Sequence, residues 1–488
     1  MIIRLVVLIL YILVLLCIGV YTSKRVKSYE GYNLAGRGNN KWIGGISTQS
    51  SSTSGWMLLA MPGLAYSMGF SAVWFLVGWL GGSIINWVLL AKRLRVATEA
   101  YDAATCVEYF ENRTGDKRGI IGITSAIVIL ILMCVNASSE LIGCGKLINA
   151  VFGIDYKTGV LIGLLLVAAY TFLGGYLAVS WTNLLQGTLM FLALAILPIV
   201  AFCNTDGLTA VIDTLHSADV NYFEFLGGTN SPLEIIALLS GGVGIAFMYP
   251  GLVHALTSIM AIRDPNEVKE SGLIAVVWGS VALLGASGIG MVGRVLFPVV
   301  DDPEQVSLFL AEKFFGNALF GMFGAAVMAA ILSSVCAYII VATAGLGGSI
   351  LKKMYPNNEK RIIVIEKVLV VVISLVAFIL AFQGGRIHTV TMFASSGLGA
   401  AFGPIVIASL FGNKINYKGA LACIIAGVVT VAIWYGAGLS VYLFEVFPGW
   451  IVSTIVLFAV SKMTGGADEE ITAGYNKYKE ILAESNHK

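Results

Sequence analysis

Long apolar runs, each ended by charge or by Gly and Pro, follow one another almost to the end of the chain. A helix of about 20 residues crosses the hydrocarbon core of a bilayer. On that measure the pattern predicts thirteen spans, near 3–22, 43–67, 72–91, 119–152, 158–176, 181–203, 233–260, 272–298, 316–350, 363–384, 388–411, 417–437 and 442–461. The ends of 119–152 and 316–350 are the least sharply marked. The expected fold is an all-α polytopic membrane protein, one transmembrane domain over 1–465 with a tail at 466–488. In that tail Ile471, Tyr475, Tyr478, Ile481 and Leu482 recur at helical spacing, which predicts a short helix on the cytoplasmic surface.

Composition agrees with the pattern. The 488 residues are 58% hydrophobic and 12% charged, about half the charge of a soluble domain. A soluble multidomain enzyme is excluded, and a net charge of +2 with no basic tail gives no reason to expect nucleic acid. The seven cysteines are scattered without CxxC or metal-ligand spacing and read as reduced packing residues. The run from Leu5 to Val20 lacks a small-x-small cleavage site, so it reads as a first span rather than a leader. Lys and Arg then fix the orientation. With the N-terminus outside and the C-terminus cytoplasmic, 24 of the 30 basic residues fall inside, among them Lys24, Lys27, Arg93, Arg118, Lys353 and Lys488. Arg4, Lys157, Lys313 and Arg386 fall outside, and Lys146 and Arg294 lie within spans. The outer segments 204–232 and 301–312 are acidic, which could enrich cations at an entrance or simply be tolerated there.

Four polar features interrupt the apolar spans. Residues 47–55, Ser-Thr-Gln-Ser-Ser-Ser-Thr-Ser-Gly, put seven hydroxyls into the second span, close to Met61-Pro62-Gly63. In hydrocarbon such a cluster must face protein or a water-filled cavity. It suits a helix that unwinds midway and offers carbonyls and hydroxyls to a monovalent cation, as in an ion-coupled transporter. Gly241-Gly242-Val243-Gly244 and Tyr249-Pro250-Gly251 interrupt the seventh span similarly. Two broken spans in corresponding places point to an inverted repeat, with spans two to six (43–203) matched to seven to eleven (233–411). Ser333-Ser334 puts vicinal hydroxyls into the ninth span; such serines commonly back-bond within their own helix. Glu140, after Asn136-Ala-Ser-Ser, is an acid within a long apolar run. It could carry a proton, attract a cation, meet a substrate amine, pair with Lys146 or stay a protonated structural acid. Arg294 reads as snorkelling to the outer surface. Gly288-Ile-Gly290-Met-Val-Gly293 matches GxGxxG but lies inside a span, and Asn112-Arg-Thr114 is a sequon on the wrong side. The four histidines have no triad or metal spacing, and no catalytic constellation is present.

Several strings together resemble the solute:sodium symporter family, nearest its sodium/proline symporter branch, over roughly residues 3–465. They are Ser54-Gly55-Trp56 with Pro62-Gly63, Asn86-Trp87 with Arg93-Leu94-Arg95, and Thr105 with Glu108-Tyr109-Phe110 and Arg113. Thr171 to Gly175, Ala178 to Thr182, Val292-Gly293-Arg294 and Ala400-Ala401-Phe402-Gly403-Pro404 complete the set. The resemblance implies thirteen helices: an extra N-terminal one (3–22), a leucine-transporter-type five-plus-five inverted repeat, and two C-terminal ones (417–461). It implies a sodium site between spans two and nine, with carbonyls from Ser50, Thr53 and Ala330 and hydroxyls from Ser333 and Ser334. Solute contacts are expected from Ser54, Gly55, Trp56, Asn136, Glu140, Gly241, Ile245, Tyr249 and Ser395.

Departures from the branch matter as much. Ser52 stands where proline transporters carry an aspartate, and Asn183 where many members carry another, which removes support for a second sodium site. Gly241, Ile245 and Asn136 replace aromatic residues, which widens the pocket and favours a larger or more polar solute than proline. The implied activity is sodium-coupled inward symport of a small polar organic solute across the cell membrane, with sodium as coupling ion, no cofactor and no enzyme chemistry. Its alternatives are proton coupling through Glu140, a passive channel, or a sensor that has lost transport. Neither the solute nor the oligomeric state is legible.

Overall fold

The computed structural model describes residues 1–26, 28–356 and 358–487. Lys27 and Lys488, two of the basic residues used for orientation, lie outside them. Among the described residues no strand forms beyond an isolated bridge between Asn39 and Ile262, and eleven helices are long and apolar enough to cross a membrane. One of these, Lys41–Ala100, runs 60 residues, far more than one crossing needs. Its helical path stops at Gly69 (φ 58°, ψ −136°), where a Cβ would lie 2.3 Å from the Tyr222 carbonyl oxygen, so only glycine fits. The Tyr156–Phe202 helix is likewise broken at Gly175 (φ 59°, ψ −161°). That leaves Gly175–Phe202 as a span and Tyr156–Ala169 as a shorter apolar helix.

The centre of the bundle is the Asn317–Leu346 helix, whose apolar window is wholly buried. A helix surrounded by protein must be apolar on every side. This one is also lined with Gly321, Gly324, Ala325, Ala329, Ala330, Ser333 and Ser334, small enough for close helix approach. It packs against Ile120–Phe152, Tyr156–Phe202, Lys41–Gly55 and the N-terminal Ile2–Ser23 helix. Glycines set other contacts: a Cβ on Gly290 would come within 2.2 Å of the Pro62 carbonyl oxygen, and one on Gly78 within 2.0 Å of Gly242.

Two helices unwind inside the bundle. The first leaves helical geometry at Ser54 (φ 54°, ψ −170°), earlier than the Pro62-Gly63 pair that the sequence offers as a breaker. Pro62 instead lies inside the helix that resumes at Gly55 and runs to Met68, just after the wide turn Trp56–Ala60. The second breaks at Tyr249–Gly251, a single tight turn followed by Leu252 (φ −72°, ψ 87°) and a new helix, Val253–Met260. The basic ends of the two broken segments are stitched together. Asn39 N–H donates to the Ala261 carbonyl at 3.1 Å and Arg263 N–H to the Asn39 carbonyl at 2.9 Å, while the Arg95 guanidinium bonds the Ile262 and Arg263 carbonyls. A cation there satisfies the free carbonyls at a helix C-terminus.

At the opposite end, Lys146 pairs with Glu304 (2.5 Å) and Asp302 (2.8 Å). Glu304 also accepts the N–H groups of Ile387 and His388, each at 3.2 Å, so it caps the Ile387–Phe411 helix. Lys146 therefore does not pair with Glu140. Arg294 lies over the Tyr66 ring and donates to the Pro298 carbonyl. The tail forms the Glu469–His487 helix, and Ile471, Tyr475, Tyr478 and Leu482 are buried. It rests on the basic end of the bundle, with Arg113 5.0 Å from the Tyr475 ring centre and Lys92 bonded to the Ser485 carbonyl.

Candidate functional site

The break at Ser54 and the middle of the Asn317–Leu346 helix face each other across a cluster of neutral oxygens. The Ser333 hydroxyl donates to the Ser50 carbonyl at 3.1 Å and to the Ala330 carbonyl at 2.9 Å. The Ser334 hydroxyl donates to the Ser51 carbonyl at 3.1 Å. Back-bonding within one helix explains only the Ser333–Ala330 contact; both serines also reach across to the partner helix. Thr53 lies beside them, its hydroxyl bonded to the Gln49 carbonyl and its own carbonyl accepting the Trp56 N–H. Ser50, Thr53, Ala330, Ser333 and Ser334 are fully buried. Dry carbonyl and hydroxyl oxygens without a formal charge suit a hard monovalent cation, since they replace its hydration shell. Among the described residues no group of three or more His, Cys, Asp or Glu could hold a metal ion.

A cavity of about 40 Å³ adjoins this cluster between the two breaks, room for a few waters. Ser54 and Trp56 contribute from the first break and Ile245 and Tyr249 from the second, with Ser395 on a neighbouring helix. Trp79 packs edge-on to Tyr249 with ring centres 5.9 Å apart. Trp56 donates its indole N–H to His388 at 3.2 Å, and His388 follows the helix start capped by Glu304. The pocket roof is thereby linked to the ionic contact of Lys146.

A model of the sodium:solute symporter family matches residues 32–427. The chain belongs to the sodium:solute symporter family. It is 34% identical over 478 residues to the high-affinity proline transporter PutP of Bacillus subtilis (strain 168), covering 96% of this chain and 100% of that one. It is 33% identical over 465 residues to the osmoregulated proline transporter OpuE of the same organism, covering 93% and 94%. Its fold is shared with a Na+-coupled sialic acid symporter solved in a substrate-bound outward-open state, with a TM-score of 0.80 at 17% identity over 96% of this chain and 99% of that one. As a member of the sodium:solute symporter family the chain is a multi-pass membrane transporter and not an enzyme.

Within this symporter the residues singled out from sequence divide into two groups. Ser54, Trp56, Ile245, Tyr249 and Ser395 line the cavity, whereas Gly55, Asn136, Glu140 and Gly241 do not. Gly241 stands one turn from Ile245, where a Cβ would meet only the Phe75 ring, at 3.9 Å; the helix meets the pocket only near its broken end. Gly55 and Glu140 bond to each other instead, the Gly55 N–H donating to Glu140 Oε2 at 2.9 Å. Glu140 Oε1 and both amide atoms of Asn136 are buried without a partner. Asn183 donates to the Ser47 hydroxyl at 3.1 Å. Sequence reasoning did not single out Tyr338, His254 and Thr391 as pocket residues. Tyr338 follows Ser334 by one helical turn and so shares its face, a signal that was present. His254 and Thr391 had none, because a lone histidine or threonine in an apolar run looks like any packed residue.

Proposed function

We propose that the chain moves one sodium ion inward together with one small polar organic solute. What supports this reading most is the buried oxygen cluster joining Ser50 and Ser51 to Ser333 and Ser334. Sodium there would be held by the carbonyls of Ser50, Thr53 and Ala330 and the hydroxyls of Ser333 and Ser334. It would tie the unwound helix to the central one and so complete the adjacent pocket. The solute would meet Ser54, Trp56, Ile245, Tyr249 and Ser395, with Gly55, Asn136, Glu140 and Gly241 as further candidates around it. The proline transporters among the relatives favour an amino acid or a related, larger solute. The reading includes thirteen crossings, obtained by counting the two parts of Lys41–Ala100 and the Tyr156–Ala169 helix separately, and two five-helix repeats starting at the two broken helices. It also places the basic end in the cytoplasm, with the N-terminus outside.

One charge crossing about 100 mV supplies roughly 2.3 kcal/mol, and a tenfold sodium gradient adds about 1.4 kcal/mol. One-to-one coupling then supports accumulation of a neutral solute by up to a few hundredfold. The test is uptake into proteoliposomes under an imposed sodium gradient. Ser333→Ala with Ser334→Ala is expected to abolish sodium stimulation. A second reading, proton coupling, is favoured by the unpartnered Oε1 of Glu140. Uptake that survives the double serine change, follows a proton gradient and disappears in Glu140→Gln would establish the proton reading in place of sodium.

A further inference from the structure

The segment that starts after Ser54 runs as helix from Gly55 to Met68, and its first N–H points at Glu140 Oε2 at 2.9 Å. The N-terminus of a half-helix inside a transporter attracts anions, and in one well-known case it binds the carboxylate of the substrate itself. Here the position is filled from within the protein: a Cβ on Gly55 would lie 2.9 Å from the same Glu140 oxygen. A solute carboxylate cannot take the Gly55 N–H while Glu140 holds it.

Among the described residues Glu140 also lacks a charge partner. Lys146, the nearest basic residue along its helix, is committed to Asp302 and Glu304. Its second oxygen, Oε1, is buried without a hydrogen bond, as are both amide atoms of Asn136 one turn earlier on the same face. Buried polar groups left open in this way call for a partner. Ser139, next to Glu140, accepts a hydrogen bond at 2.9 Å from the Thr391 hydroxyl of the cavity wall, and Ser54 lies between Glu140 and the cavity. Among the described residues the cavity carries no Lys or Arg, while Trp56, Trp79, Tyr249 and Tyr338 give it aromatic walls. Aromatic faces and an unpaired acid favour a cation and reject a second carboxylate.

We propose that Glu140 stands in for the carboxylate of an amino-acid solute, so that the transported solute is not the amino acid that the relatives favour but a small organic cation without a carboxylate, its charged nitrogen directed at the Ser54 wall of the cavity, beyond which Glu140 is buried. This rests on the reading of the cavity as the solute site. Binding to the purified full-length protein in sodium and in potassium buffer tests it with matched probes: pyrrolidine against L-proline, agmatine against L-arginine, and choline against glycine betaine. At least one carboxylate-free member should bind roughly tenfold or more tighter than its partner. Glu140→Gln should lose that preference, and Glu140→Gly, which frees the Gly55 N–H, should reverse it. Tighter binding of the carboxylated members by the unaltered protein, or binding of no carboxylate-free member, overturns the assignment. If the carboxylated members bind only in sodium, the assignment falls and sodium symport stands. If the expected order holds equally in sodium and potassium, the assignment stands and sodium coupling falls.

Discussion

Ser54 holds a backbone geometry, φ 54° and ψ −170°, that is essentially reserved for glycine and costs on the order of 1–3 kcal/mol. Its hydroxyl offsets part of this by accepting the Trp56 N–H at 3.1 Å, a contribution of about 1 kcal/mol. Ser54→Gly is therefore expected to raise the melting temperature of the purified protein by a few degrees, while solute affinity falls because the pocket loses a hydroxyl. Ser54→Val should lower the melting temperature, since a β-branched residue tolerates positive φ least. The hydroxyls of this stretch were visible in the sequence as a group too polar for lipid. Which of them face the partner helix was not. Ser51 and Ser52 are neighbours, yet the Ser51 carbonyl is bonded to Ser334 and the Ser52 hydroxyl is buried without a partner.

Between helices, the critical residues are the smallest. The Val73–Ile85 and Pro232–Met248 helices touch where Gly78 meets the Gly242 carbonyl, with 2.0 Å to a Cβ on Gly78. Gly78→Leu has backbone in its way and no side chain that can yield, so it should cost about 3 kcal/mol or more. The expected result is a sharp loss of monodisperse protein on extraction, whereas Gly81→Leu, with nothing within 4 Å, should extract normally. Gly78 and Gly81 are equivalent in the sequence. Similarly, the broken helices were legible from Tyr249-Pro250-Gly251 and from the hydroxyl run, but the position of the first break was not. Pro62 does not mark the break, because the chain has already left and re-entered the helix before reaching it.

At the scale of the whole molecule, Lys146 ties Asp302 and Glu304 together at the end opposite the basic residues. Burial would by itself raise the Asp302 carboxyl, but its bond to Lys146 and the lysine charge outweigh this and hold it below the ordinary 3.8. A carboxylate depressed in the folded state stabilises fully above its unfolded value and loses that contribution as pH falls through the folded one. Melting temperature should therefore fall on acidification below pH ~4, and Lys146→Met should flatten that part of the profile. The same change removes a partner of Glu304, which caps the Ile387–Phe411 helix beside Trp56 and His388. Lys146→Met is thus expected to speed solute exchange from that side, measured as faster dissociation of bound solute.

The sequence by itself determined the membrane class, the all-helical build, the two broken helices and the family, because hydrocarbon tolerates few exceptions to apolar helix and each exception stands out. The vicinal serines of the central helix and the hydroxyl stretch were equally plain, since polar groups in a membrane must have partners. Only the tertiary structure decided who those partners are. It paired Ser333 with Ser50, gave Lys146 to Asp302 and Glu304, and set Glu140 against the Gly55 N–H. Such pairings depend on the rotation and close approach of helices far apart in the chain. These are set by glycine contacts and side-chain packing, which leave no periodic trace in the sequence.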